Sequence, residues 1–249
     1  MTYDFFFAVL IKPPKFFVLT VTIGMLSASS VTFAGEPPTC TMSVKKGEIC
    51  RCIVTDLHPA QGAVGMKEVE SRKKGLAQKS KDELETYLYQ HPESTVKGPE
   101  GKFYIIDQHH FARALLENGV KTTYCQIVGD FGDIPASSFW ATMEQRHWVH
   151  PYDETGKRVD YASIPPTVRE LRDDPYRSLA GAVQDACGYR KSQVPFVEFL
   201  WANFLRPRVV LDNGKHDFDT ALARGLLLAR SKEAKHLPGY CGAHCSCNE

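Results

Sequence analysis

The chain reads as short apolar runs alternating with amphipathic stretches, a mixed pattern that begins near residue 53. Residues 53–57 carry enough apolar character for a strand. Residues 64–77 are charged, yet Met66, Val69 and Leu76 fall on one side at helical spacing. Ser80-Lys81-Asp82-Glu83 is a capping box, which predicts a helix burying Leu84, Tyr87 and Leu88 and ending at His91-Pro92. Residues 94–97 and 102–107 then form a predicted hairpin around Gly98-Pro99-Glu100-Gly101. Phe111, Leu115 and Leu116 mark a helix stopped by Asn118-Gly119, and residues 122–128 alternate as a strand. Beyond Pro135 the pattern is helical. Ser137 or Ser138 caps a helix carrying Phe139, Trp140 and Met143. Further helices are predicted over residues 166–172, 175–186 (closed by Gly188), 195–205 and 219–235, with the pairs Phe139/Trp140 and Phe196/Phe199 as core. Asp174 caps the second of these. Strands first and helices afterwards predict an α+β fold with a helical C-terminal part.

The first 34 residues change the picture of the whole chain. Lys12 and Lys15 precede an apolar run over residues 16–26, then small residues up to Thr32-Phe33-Ala34. This is the pattern of a secretory signal peptide cleaved after Ala34. The run is too short to span a bilayer comfortably, so no membrane span is expected after cleavage. The predicted organisation is a signal peptide (1–34), a cysteine-bearing lead (35–52) with Pro37-Pro38, a core (53–134), a helical subdomain (135–206) and a C-terminal helix with a cysteine-rich tail (207–249). The protein is expected to be secreted or periplasmic.

The full sequence holds 30 Lys and Arg against 29 Asp and Glu. Loss of residues 1–34 removes Asp4, Lys12 and Lys15 and leaves 28 of each sign. A neutral chain argues against a protein whose main task is to coat DNA, because such binding is driven by phosphate neutralisation. All eight cysteines lie after residue 34, and six of them sit in the flanks. An even count in an exported chain predicts disulfides. Cys241-Gly242-Ala243-His244-Cys245-Ser246-Cys247 is a zinc-like alternative, but ligands this crowded fit one tetrahedron poorly.

Tyr104-Ile105-Ile106-Asp107-Gln108-His109-His110-Phe111-Ala112-Arg113-Ala114-Leu115-Leu116 is the segment richest in chemistry. It predicts a buried strand, a tight turn and a helix start, where unpaired N–H groups and the dipole favour an anion. His109 and Arg113 are four residues apart on the helix and His110 and Arg113 three apart, so each pair shares a face. Adjacent histidines diverge by about 100°. The functional reading is a phosphate cradle. Gln108, His110 and Arg113 bind the phosphate, His109 or His110 acts as general acid or base, and Asp107 orients a histidine. The bland alternative is a helix capped by Asp107, with surface histidines. On the functional reading Arg113→Ala weakens phosphate binding at little cost in stability.

Accessory candidates lie elsewhere. His58 and Gln61 occupy a loop between strand and helix. Glu68 is a candidate base or metal ligand, and its alternative is a solvated helix face shared with Glu70, Arg72 and Lys73. Trp148, His150, Tyr152 and Asp153 line a pocket or anchor the helical part to the core. Arg177 contacts a phosphate or pairs with Asp173 or Asp174.

These motifs resemble one family. The strand–turn–helix segment is similar to the phosphate-binding turn of the ParB/sulfiredoxin superfamily. Leu57-His58-Pro59-Ala60-Gln61 with residues 64–70 resembles its opening segment. Within it, Asp107-Gln108-His109-His110 with Arg113-Ala114-Leu115, residues 148–153, residues 171–179 and residues 194–199 resemble the branch called putative ParB-like nucleases. The resemblance runs from about residue 56 to about residue 206. It departs from partitioning ParB proteins in a histidine-rich rather than arginine-rich turn, and from sulfiredoxins in lacking their cysteine. It implies a ParB/sulfiredoxin-like core and phosphoester chemistry on a phosphate-bearing substrate such as a nucleotide or nucleic acid. No metal-ligand spacing is strong, and a divalent metal is left open. A nucleotide-binding phosphotransferase of the same fold and a non-catalytic module stapled by disulfides are the alternatives. Substrate and oligomeric state are not set by the sequence.

Overall fold

The computed structural model describes residues 36–211 and 218–246. The predicted signal segment and Cys247 lie outside the described residues. Five strands form the main sheet: β1 (Ile49–Ile53), β2 (Leu57–Pro59), β4 (Glu93–Lys97), β5 (Phe103–Ile105) and β6 (Thr122–Asp130). Their spatial order is β1-β6-β4-β5-β2. β1–β6 and β4–β5 are antiparallel, whereas β4–β6 and β2–β5 are parallel. The expected α+β class is what the chain adopts.

β1 and β2 are neighbours in sequence but opposite edges of this sheet. A 3-10 turn over Val54–Asp56 joins them. Three residues reach little more than about 10 Å, so the two edges lie close and the sheet curls almost onto itself. The strand expected over residues 53–57 is therefore mostly that turn, and only its end residues, Ile53 and Leu57, belong to strands, the last of β1 and the first of β2. Val54 sinks into the core and its N–H bonds the Lys121 carbonyl, which draws the chain out of the ladder.

Helices α1 (Met66–Ala77), α2 (Lys81–Gln90) and α3 (His109–Glu117) pack with the sheet around Leu57, Val69, Leu88, Ile105, Phe111, Leu115 and Ile127. The predicted capping box of α2 is present: Ser80 accepts from the Glu83 N–H while Glu83 accepts from the Ser80 N–H. A second cluster, under α4 (Ala136–Gln145), joins Phe139 and Met143 to Val96 and Tyr104. α4 starts directly after Pro135 and its N-cap makes no side-chain bond, so neither Ser137 nor Ser138 caps it. A third cluster holds α5 (Pro175–Asp185), α6 (Val197–Leu205) and α7 (Phe218–Ala229) together through Leu179, Val183, Trp201 and Leu205. Tyr189 stacks on Trp201 with ring centroids 4.2 Å apart.

The helix expected over residues 166–172 shrinks to a 3-10 turn at Val168–Glu170. The N–H groups that would extend it are used elsewhere. Arg172 donates to the Gly62 carbonyl and Asp174 to that of Val64, which pairs β3 (Ala63–Val64) with β7 (Arg172–Asp173). Asp174 caps α5 as expected, accepting from the Tyr176 and Arg177 N–H groups.

The described cysteines are oxidised. Cys40–Cys50 closes the lead, Cys52–Cys125 ties β1 to β6, and Cys241–Cys245 lies within the tail. Cys187 is also disulfide-bonded. Two of the four zinc-like ligands of the tail are thus committed to each other. Among the described residues, Cys40, Cys52 and Cys125 form the metal-like grouping, and all three are in disulfides. No helix among the described residues is long and apolar enough to cross a membrane.

Candidate functional site

The segment from Ala60 to Gly65 is the scaffold on which the site is hung. It crosses between α3 and α5, and four of its six residues are glycine or alanine. A Cβ at Gly65 would come within 2.7 Å of the Ser178 backbone nitrogen, and one at Gly62 within 2.3 Å of the Tyr152 carbonyl oxygen. Glycine is required at both points for the approach itself. The donors of this segment then meet the histidines of α3. The Ala60 N–H donates to His109 Nε2 at 3.0 Å and the Gly65 N–H to His110 Nε2 at 2.9 Å. His150 joins from the other side, its N–H donating to the Ala60 carbonyl.

These bonds turn both α3 histidines inward. His109 is 3% exposed and His110 6%. Burial lowers the His109 pKa to about 3, against a smaller raising effect from its backbone hydrogen bond at Ile105. Burial likewise holds His110 well below the usual imidazole range, helped by the positive charges of Arg177 and Arg72. A neutral imidazole is what a ring nitrogen accepting an N–H bond requires. His110 Nε2 lies 3.5 Å from Glu68 Oε2, but a neutral ring makes this no ion pair. Asp107 is bonded to neither ring. Its carboxylate accepts the Gln108 N–H at 2.7 Å.

Two adjoining cavities open over this scaffold, of about 570 and 410 Å³. Asp107, Gln108, His110, Arg177, Ser192 and Glu198 line both, so they form one cleft. The larger half adds Glu68 and Arg72 of α1, with Asp185 and Lys191. The smaller half adds Gln61, Trp148, Phe196 and Phe199. Two helix N-termini reach it. α3 begins after Gln108 and α6 after Phe196, and both cap residues sit in the left-handed region, at φ 57°. The N–H groups of His109, His110, Val197 and Glu198 find no acceptor among the described residues. Left-handed non-glycine residues cost on the order of 1–3 kcal/mol and cluster at functional sites.

Arg177 stands at the centre. It is 8% exposed, although it carries five N–H donors. Nη1 donates to Glu68 at 3.3 Å, Nη2 is 4.0 Å from Glu198, and Nε has no partner among the described residues. The guanidinium also lies 5.5 Å over the Phe199 ring. Neither Asp173 nor Asp174 pairs with it, and Asp174 pairs with Arg206 instead. Glu68 is held on its other oxygen by Arg72, at 2.8 and 3.0 Å.

The remaining sequence candidates fall in different places. Arg113 lines neither cavity. Its guanidinium pairs with Glu117 at 2.8 Å and donates to the carbonyls of Val168, Arg169 and Leu171. His58 also lines neither cavity, its ring bonded to the Pro166 carbonyl. Gln61 is buried at the smaller cavity, donating to the Ala63 carbonyl. Gln108 donates to the Pro92 carbonyl. His150 stacks on Tyr152 and Phe199 and lies tilted against Phe196, with centroids 4.2–4.9 Å away. Burial brings its pKa down to about 4. It is an anchor between the core and α6, while Trp148 lines the smaller cavity. Sequence reasoning missed the cleft roles of Glu198, Arg72 and Lys191. It also missed Glu93, fully buried with both carboxylate oxygens unpartnered among the described residues. Burial, and then the charge of Asp107, raises the Glu93 pKa well above the carboxylate range.

An α+β core whose strand–turn–helix opens onto a charged cleft walled by a helical layer defines the class. The chain belongs to the putative ParB-like nuclease family, whose model matches residues 50–207. It is similar to protein Atu1540 from Agrobacterium tumefaciens, known as a crystal structure. The two share 39% identity at a TM-score of 0.72, over 78% of this chain and 98% of that one. No curated protein matches.

Proposed function

We propose that the cleft binds and hydrolyses phosphoesters, with Arg177 and the N–H groups of His109 and His110 holding the phosphate. One observation carries this reading. Arg177 is a buried guanidinium with a single long hydrogen bond, and burying unpaired donors costs free energy that an anionic ligand would recover. A phosphate oxygen accepts such a fork in bidentate fashion. Helix dipole and unpaired N–H groups add to the same spot. Carboxylates line the cleft beside it, and phosphoester hydrolysis needs such a proton-accepting group. On this reading His109 and His110 act as positioning residues that fix the Ala60–Gly65 scaffold, and phosphate contact passes from Arg113 to Arg177. The oxidised cysteines support a place of action outside the cytosol.

The test compares Arg177→Lys with Arg113→Ala. Calorimetric binding of inorganic phosphate and turnover of bis(p-nitrophenyl) phosphate are measured on the purified chain. Arg177→Lys is expected to weaken phosphate binding at least tenfold, because lysine lacks the fork. Arg113→Ala is expected to leave binding within a factor of about two and to cost about 1–3 kcal/mol of stability through the carbonyls it abandons. Loss of binding in Arg113→Ala alone would return the site to that residue. Absence of any phosphate binding by the wild type would remove the reading.

A further inference from the structure

We infer that Glu198 is the general base of this cleft, the group that takes a proton from the attacking water; the inference rests on the phosphoester reading above. Four carboxylates line the cleft, Glu68, Asp107, Asp185 and Glu198; Asp185 borders the larger half alone, away from the junction of the two halves, and the surroundings of the other three separate them. Glu68 is committed: one oxygen accepts two bonds from Arg72, and the other lies 3.3 Å from Arg177 Nη1. Its lone pairs hold the two arginines in place. Asp107 accepts the N–H of Gln108, fixing the left-handed turn that opens α3. Glu198 accepts no hydrogen bond among the described residues, and its nearest cation is Arg177 Nη2 at 4.0 Å. Its side chain is 29% exposed, so water reaches it.

Its position suits the task. Glu198 lies in the first turn of α6, at the junction that both halves of the cleft share. It stands on one side of Arg177, with Glu68 on the other. A phosphate held by the free donors of Arg177 therefore lies beside the Glu198 carboxylate. In the step, Glu198 accepts one proton as the water oxygen bonds to phosphorus. The bond from phosphorus to the leaving oxygen breaks, and that oxygen leaves with the electron pair and takes a proton from solvent. Arg177 meets the charge that builds on the non-bridging oxygens. Water is the only co-reactant.

The experiment uses the full chain with bis(p-nitrophenyl) phosphate as substrate and inorganic phosphate as the binding probe. Glu198→Gln keeps shape and removes the base. Turnover is expected to fall by a factor of about one hundred or more. Phosphate affinity is expected to hold or tighten, because a like charge leaves the site. Glu198→Asp, a base withdrawn by one methylene, should fall between the two and should secure the conclusion if the glutamine variant folds poorly. Turnover of both variants within threefold of wild type, with phosphate still bound through Arg177, would overturn the assignment to Glu198 and leave the phosphoester reading standing. A wild type that binds phosphate but cleaves no phosphodiester would overturn both.

Discussion

His109, His110 and His150 are buried imidazoles, and the first two accept backbone N–H groups that a protonated ring would repel. Folding therefore keeps them neutral, while the unfolded chain protonates them near pH 6.5. A histidine with a lowered folded pKa contributes its stability above the unfolded value and loses it as pH falls. For His109 the window runs from about 6.5 down to about 3, and for His150 down to about 4. Each histidine should cost about 1.4 kcal/mol per pH unit within its window. Urea unfolding at pH 7, 5.5 and 4.5 should show a steep loss of stability. His109→Gln, tested the same way, should flatten that dependence by about one proton. The sequence identified this turn but not the direction of its side chains. Two histidines about 100° apart on a helix can both be buried when each finds a different donor in a segment some 45 residues away. Nothing within the motif reveals those donors. For Arg177 the near carboxylates in sequence were the obvious partners, yet its partner Glu68 lies 109 residues away.

At the scale of elements, helix signals were legible wherever they were local. The capping box of α2 and the aspartate cap of α5 occur as read, because both depend on residues within one turn. Strand limits and the short helix at 166–172 were not legible, because distant backbone groups claim their hydrogen bonds. The two caps should differ sharply in cost. Ser80 is exposed, and Ser80→Ala should cost about 1 kcal/mol. Asp174 is fully buried and pairs with Arg206 at 2.8 Å. Asparagine still caps, so Asp174→Asn isolates the ion pair and should cost about 3 kcal/mol, the lower end for a broken buried pair because Arg206 is partly exposed. Thermal unfolding of the two variants checks the contrast. Equal small losses would mean that the Asp174–Arg206 pair contributes nothing net.

For the whole molecule, disulfides close loops of very different length. Cys52–Cys125 spans 73 residues and Cys40–Cys50 spans 10. Chain entropy assigns about 4 kcal/mol to the longer and about 3 kcal/mol to the shorter. Paired serine replacements at each bridge, followed by denaturant unfolding, should rank them in that order. The α+β class and the helical C-terminal layer were readable from the order of periodicities. The cysteine count announced oxidation but not pairing, which depends on β1 lying against β6.

The curl of the sheet has a consequence for association. A sheet edge is a template on which a foreign strand can grow. Here one continuous strip, β1, its 3-10 turn and β2, supplies both edges, so closing one end of the sheet closes the other. The lead lies along β1, with Cys40 donating to the Arg51 carbonyl and Arg51 to that of Pro38, and Cys40–Cys50 pins it there. β2 offers three residues ending in Pro59, which has no N–H to give. Among the described residues the main sheet thus offers little ladder to extend, and the strip that shapes the core also disfavours strand addition at its edges.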